Sequence, residues 1–113
     1  MSAITTHVLD TSSGKPAAGV RVALSTTDNG SWISLGAGAT GEDGRANDLL
    51  PTAHKLAAGT YKLTFEIREY FRSRGSDSFF PRVDIIFSVQ EHAQHYHVPL
   101  LISPYSYSTY RGS

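Results

Sequence analysis

A β-strand sends successive side chains to opposite faces, so a chain patterned with a period of two must stack sheets to hide their apolar faces. That period runs through most of this 113-residue sequence. Tyr61, Leu63, Phe65 and Ile67 alternate with Lys62, Thr64 and Glu66, and Val20, Val22 and Leu24 alternate with Arg21 and Ala23. Helical spacing recurs in one short segment. The pattern restricts the chain to all-β architectures in which half-buried strands share a core.

Turn formers cut the pattern into strands at short intervals. Residues 5–9 read as a first strand, closed by Asp10-Thr11-Ser12-Ser13-Gly14-Lys15-Pro16. The strand around Val22 ends at Asp28-Asn29-Gly30, and residues 31–35 run back as a third. Gly41-Glu42-Asp43-Gly44 marks another turn, while residues 47–56, without a clear period, are expected to wrap the surface. The strand that begins at Gly59 leads into Ile67, Tyr70, Phe71 and Arg74, spaced as one face of a short helix that Gly75 ends in a left-handed cap. Glu69 and Arg72, three apart, are expected to pair on its exposed side. Residues 83–89 form a further strand, whose Ile85-Ile86-Phe87 run predicts cover on both faces. Residues 91–94 turn, and residues 96–102 and 105–110 supply the last two strands, joined by Ser103-Pro104. Pro99 cannot donate to a ladder, which predicts an edge or a bulge there. The expected fold is an all-β, two-sheet sandwich of seven or eight strands with one short helix, a single domain over 1–113.

Composition narrows the function. Ten Lys+Arg balance ten Asp+Glu, so the basic excess with which nucleic-acid domains read phosphates is missing. A near-neutral surface also does little to keep copies of the chain apart. Without cysteine there is no disulfide framework, thiolate zinc site or cysteine nucleophile. Neither a signal-peptide pattern nor an apolar run long enough to cross a bilayer is found. The expectation is a cytoplasmic protein with no membrane or nucleic-acid partner.

His7, His54, His92, His95 and His97 are the side chains that titrate near neutral pH. His54 and His92 fall in expected loops and read as surface residues. His95 and His97, two apart in a strand, point to one face. With His7 they could make a three-histidine zinc site, although no His-Glu-x-x-His motif or well-spaced acid accompanies them. A Gly-x-Ser-x-Gly elbow is absent, so nucleophilic serine chemistry finds no support. Arg68, Arg72 and Arg74 read as a solvated face, and Tyr105 and Tyr107 as one strand face packed in a core or interface. On residue chemistry alone the reading stops at a β-sandwich.

Four stretches carry more. They are Thr6-His7-Val8-Leu9-Asp10-Thr11-Ser12-Ser13-Gly14-Lys15-Pro16-Ala17, Thr40-Gly41-Glu42-Asp43-Gly44-Arg45, Ser78-Phe79-Phe80-Pro81-Arg82-Val83, and the run from Tyr96-His97-Val98-Pro99-Leu100-Leu101 to Tyr110-Arg111-Gly112-Ser113. Together, in this order and spacing, they resemble the transthyretin-related family of 5-hydroxyisourate hydrolases along essentially the whole chain. The Tyr-Arg-Gly-Ser ending resembles the one that marks the hydrolases and that the hormone-carrying transthyretins lack.

The resemblance implies a transthyretin-like sandwich that hydrolyses the N1–C6 amide bond of 5-hydroxyisourate to give 2-oxo-4-hydroxy-4-carboxy-5-ureidoimidazoline, with no cofactor and no metal. It implies a homotetramer whose sites lie in a channel between dimers. His7, Arg45, His97 and Ser113 match the catalytic positions, and His7, Arg45, Tyr110, Arg111 and Gly112 the substrate-binding ones. Water is the expected nucleophile, with His7 or His97 as its base. Arg45 would hold the polarised carbonyls, Tyr110 would donate to a substrate oxygen, and Ser113 would place water or substrate. Arg111 would bind substrate or anchor the C-terminus. Two other readings stay open: a transthyretin-like carrier of a small aromatic ligand, and a zinc hydrolase using His7, His95 and His97.

Overall fold

The computed structural model describes residues 3–51, 56–90 and 94–113. Among these described residues, nine strands and one helix follow in chain order: β1 (Ile4–Asp10), β2 (Lys15–Pro16), β3 (Arg21–Asp28), β4 (Ser31–Ala39), β5 (Arg45–Ala46), β6 (Gly59–Phe65), α1 (Ile67–Ser73), β7 (Val83–Val89), β8 (Tyr96–Ser103) and β9 (Ser106–Thr109). They form two sheets. One runs β4-β3-β6-β7, and the other β2-β1-β8-β9 with β5 also on β1. This is the expected two-sheet sandwich. The extra strands are β2 and β5, each two residues long and too short to carry a readable period.

The alternation expected of β3 and β6 places Val22, Leu24, Leu63 and Phe65 in the core, all at 2 % exposure or less. Ile4, Val8, Leu100 and Ile102 meet them from the other sheet, each fully buried. Fully burying one such side chain contributes about 1.5–3 kcal/mol. These residues fix which face of β1 and β8 turns inward, and so which face is left for chemistry.

Several local expectations change. β4 extends to Ala39, past a bulge where the register with β3 shifts between Leu24 and Ser25. A side chain at Gly36 in that stretch would collide with the carbonyl oxygen of Leu49 at 1.9 Å. The close approach lets the segment after β5 lie on β4. Leu49, Leu50 and Leu56 are accordingly buried, so the described part of residues 47–56 closes the core instead of wrapping the surface.

In α1, Ile67, Tyr70 and Phe71 are buried as spaced, Gly75 takes φ +78°, and Ser76 N donates to Phe71 O. Arg74 is exposed, its guanidinium 4.0 Å above the Tyr70 ring. Glu69 does not pair with Arg72; it accepts from Arg21 Nη2 at 2.8 Å, because α1 packs with that face toward β3. Within one chain the Ile85-Ile86-Phe87 run is not covered on both faces, since β7 is an edge strand and Ile86 is 60 % exposed. Tyr105 lies in the turn before β9, and Tyr107 packs edge-on against Phe80 at 5.1 Å. His54 and His92 lie outside the described residues, as does most of the turn expected at 91–94. No helix among the described residues is long and apolar enough to cross a membrane, which leaves strand-built spans untouched.

Candidate active site

The site is assembled by strand pairing around β1. Ile4, Thr6, Val8 and Asp10 point inward and are buried, so Thr5, His7 and Leu9 point outward. β8 runs parallel to β1 with Thr5 opposite His97 and His7 opposite Pro99. Its Tyr96, Val98, Leu100 and Ile102 are buried, which turns His95, His97 and Pro99 to the same outer face. On the other side of β1, β5 sets Arg45 opposite His7. Past β9, Gly112 forms a bridge to His97, its N–H donating to the His97 carbonyl at 2.8 Å. Four separate stretches thus place His7, Arg45, His97 and Gly112 on one outer face.

The turn before Arg45 has a local cause. Gly44 N donates to Gly41 O and Gly41 N to Arg45 O, both at 2.9 Å, and Asp43 Oδ1 accepts from Arg45 N at 3.0 Å. Gly44 sits at φ +79°, a left-handed conformation that favours glycine. A side chain there would meet Val8 O at 2.4 Å and His7 Cδ2 at 3.2 Å. Gly112 stands against the second histidine in the same way, since its added Cβ would lie 2.6 Å from His97 Cδ2 and 3.1 Å from Pro99 Cγ. Each histidine therefore has a glycine pressed against its ring edge, where a larger residue would push the imidazole aside.

Pro99 corrects the expectation of an edge or bulge. β8 is an interior strand, and Pro99 is buried in it. The His97–Gly112 bridge and the β8–β9 ladder, which begins at Leu100–Thr109, share one register. The ladder breaks between them at Pro99, where an N–H would otherwise donate to Tyr110. Thr109 Oγ1 instead donates to Pro99 O at 2.6 Å.

His97 is half-buried, and its Nδ1 lies 2.8 Å from Thr5 Oγ1. Burial, with help from the positive charge of Arg45 and from His95 and His7, holds its pKa below the usual histidine value, against a contribution from the Thr5 backbone that raises it. The imidazole is therefore neutral, and able to accept a proton, over more of the pH range than a free histidine. Thr5 Oγ1 also lies 3.0 Å from His95 Nε2. Both histidines turn a nitrogen to one hydroxyl, and no group of three His, Cys, Asp or Glu among the described residues is arranged to hold a metal ion.

The C-terminal residues divide. Tyr110 is 60 % exposed and Ser113 is exposed. The Arg111 guanidinium stacks 4.6 Å from the Tyr96 ring and donates to Gln94 Oε1 at 3.0 Å, on the inward side of β8 and away from His97. That contact suits an anchor for the C-terminal segment. An apolar hollow of about 230 Å³, lined by Ile85, Ile86, Phe87, Val98, Tyr110 and Arg111 among others, lies between the free edges of the two sheets rather than on the histidine face. Sequence reasoning missed Thr5 and Gly44. Thr5 is one of many strand threonines, and nothing local distinguishes it until β8 is laid beside β1.

Comparison with known proteins identifies the family. The HIUase/Transthyretin family matches residues 4–112. A mouse 5-hydroxyisourate hydrolase is 46 % identical over 114 residues, covering 99 % of this chain and 96 % of the relative. The structure of Klebsiella pneumoniae 5-hydroxyisourate hydrolase superposes with a TM-score of 0.86 at 42 % identity, with both chains fully covered. Transthyretin from Sparus aurata superposes with a TM-score of 0.91 at 28 % identity, over 99 % of this chain and 97 % of that one. Matched over nearly its whole length, this chain belongs to the HIUase/transthyretin family.

Proposed function

We propose that this chain is a 5-hydroxyisourate hydrolase of urate degradation, opening the N1–C6 amide bond to give 2-oxo-4-hydroxy-4-carboxy-5-ureidoimidazoline without a cofactor or metal. The observation that carries the reading is the meeting of His7, Arg45 and His97 on one face of the five-stranded sheet, brought together by the β1–β5 and β1–β8 pairings. The hydrolase relative is 46 % identical where the transthyretin of equal fold is 28 % identical. Fold alone does not separate enzyme from carrier; the polar outer face supports the enzyme.

In this reading water attacks C6 while His97 takes its proton at Nε2, the ring nitrogen not turned to Thr5. The new C–O bond forms as the carbonyl oxygen gains charge, which the Arg45 guanidinium stabilises. The N1–C6 bond then breaks with its electron pair on N1, and His97 returns the proton to that nitrogen. His7, opposite Arg45, holds the flat substrate with Tyr110, and Ser113 places the water. Arg111 acts through the C-terminal backbone, and Gly112 lets that backbone lie flat beside His97.

The enzyme works as a homotetramer in this reading. The histidine face is open within one chain, and β7 and β9 end their sheets with free edges beside an apolar hollow. Free edges of this kind pair with a second copy. Facing sheets from two dimers would then enclose the site. Light scattering coupled to gel filtration tests the assembly, and a monomer at working concentration would defeat it.

Activity is tested by generating 5-hydroxyisourate from urate with urate oxidase and following its ultraviolet decay. Acceleration that survives chelation supports the hydrolase. No acceleration by folded protein, together with tight displacement of an iodothyronine probe, would establish the carrier in its place.

A further inference from the structure

Thr5 is 2 % exposed, so its hydroxyl must satisfy its hydrogen bonds within the protein. Two imidazole nitrogens meet it, His97 Nδ1 at 2.8 Å and His95 Nε2 at 3.0 Å. A hydroxyl carries one proton and two lone pairs. It therefore donates to one ring and accepts from the other. The two rings lie nearly parallel, 29° apart with centroids 6.4 Å apart, on either side of it.

The hydrolase reading sets the direction of the chain, because a base at Nε2 requires the proton on Nδ1, which then donates to Thr5 Oγ1. Thr5 then passes its own proton to His95 Nε2, and His95, exposed at the rim, keeps its other nitrogen for solvent.

We propose that Thr5 is a positioning residue that links His95 to His97 and holds His97 as the Nδ1–H tautomer, leaving the Nε2 lone pair as the base. The proposal rests on the hydrolase reading for the direction of the tautomer and its kinetic consequence, while the link from His95 through Thr5 to His97 rests on the two hydrogen bonds alone. When His97 takes a proton from water, its Nδ1–H bond to Thr5 becomes charge-assisted and strengthens. The Thr5–His95 bond can strengthen in turn. His95 is thus the outer end of the chain, and not a direct participant. Gly112 completes the clamp by pressing the Cδ2 edge of the ring. The charged and titratable groups facing His97 are Arg45 from β5, His7 from β1 and His95 from its own strand. Of these, His95 alone shares a hydroxyl with it.

The full-length chain carries the test in four variants: Thr5→Val, Thr5→Ser, His95→Phe and Thr5→Val with His95→Phe. Nitrogen-15 NMR of the imidazoles reads the tautomer directly and needs no turnover. Wild type should show His97 as Nδ1–H, and Thr5→Val a mixture. Thr5→Val should lower kcat roughly 10- to 100-fold with KM changed by less than about 3-fold, the split expected when a base is mispositioned and binding is not. Thr5→Ser keeps the hydroxyl and should restore most of kcat.

His95→Phe should cost less than Thr5→Val, and the double variant should be no slower than Thr5→Val alone, since a chain is cut once. An unchanged tautomer in Thr5→Val, no rescue by serine, or losses that multiply in the double variant would overturn the proposal. A wild-type protein that turns over no 5-hydroxyisourate would defeat the hydrolase reading instead, and the NMR spectra would still decide whether Thr5 sets the His97 tautomer.

Discussion

β1 and β8 carry two unlike faces on one backbone. Inward, Ile4, Val8, Val98, Leu100 and Ile102 are buried against the second sheet. Outward, Thr5, His7, His95, His97 and Pro99 lie between Arg45 and Gly112. The inner face works by volume, and a neighbour of similar size could substitute with modest cost. The outer face works by atom, since its hydrogen bonds and ring edges leave little freedom in what stands where. Because strand period ties the two together, a single residue slip of β8 along β1 would exchange them. The aliphatic face therefore sets the register that brings His97 beside Thr5.

Two such faces predict a double dissociation, and its largest effect lies at adjacent levels of β8. His97→Asn should lower kcat by about 100-fold or more while leaving the thermal midpoint nearly unchanged. Leu100→Ala, at a fully buried position, should cost about 2–5 kcal/mol of stability and leave kcat per folded molecule close to wild type. Denaturant titration and the decay assay on both variants check the pair. A loss of kcat in folded Leu100→Ala would mean that the two faces are not separable.

A smaller effect tests how tightly the outer face is built. Gly112→Ala adds a methyl group 2.6 Å from His97 Cδ2, closer than real contacts allow. The imidazole or the C-terminal strand must shift, and roughly a 10-fold loss of kcat is expected for a misplaced catalytic group. Stability should fall by less than about 1 kcal/mol, because the site is at the rim and the core is not touched. Deleting Tyr110 to Ser113 should lower activity further without unfolding the sandwich, as a chain end tolerates truncation.

The difference between the faces also explains what is legible in the sequence. Periodicity exposes a face that works by volume, so β3, β6 and the burial of Ile67, Tyr70 and Phe71 can be read directly. It does not expose partners. Helical spacing pairs Glu69 with Arg72, whereas the packing of α1 gives it Arg21. Two-residue strands carry no period, which hides β5 and with it the reason Arg45 faces His7. The missing donor of Pro99 points to an edge, although a strand can also spend that gap on an interrupted ladder in the sheet interior. The resemblance supplies His7, Arg45 and His97 as a set; Thr5 becomes visible only when a parallel pairing joins residues 92 positions apart.

The inner face holds one carboxylate, and it should respond to acid. Asp10 is 3 % exposed, and its Oδ2 accepts from the Tyr70 hydroxyl at 2.9 Å while its Oδ1 accepts from Ser12 N at 2.9 Å. Burial pushes its pKa up, but the bonds from Ser12, Tyr70 and Ser13 outweigh that and hold it below the usual carboxylate value. A lowered folded pKa means stability that is fully present above the unfolded value and lost as pH falls through the folded one. Urea midpoints measured from pH 7 down to pH 3 should therefore drop for wild type and drop less for Asp10→Asn. Tyr70 itself is pushed up to about 12 by burial and by Asp10, so it stays a neutral donor throughout that range. Tyr70→Phe should cost about 1–3 kcal/mol at neutral pH by leaving a buried carboxylate short of a partner.

Glu69, one residue before Tyr70, supplies the smallest effect and the sharpest control. Its carboxylate meets Arg21 in a well-formed two-point pair, and the hydrogen bond from Arg21 is what lowers its pKa. By distance alone the pair is at least as good as Asp10 with Tyr70. The difference is location, since the Arg21 and Glu69 side chains are 67 % and 47 % exposed. Water screens such a pair and competes for both partners, so exposed pairs contribute little. Glu69→Gln should therefore leave the denaturation midpoint close to wild type, and what change there is should vanish in high salt. If it instead matches Tyr70→Phe in a side-by-side denaturation, bond geometry rather than burial governs these contacts, and the division between the inward and outward faces of β1 and β8 loses its energetic basis.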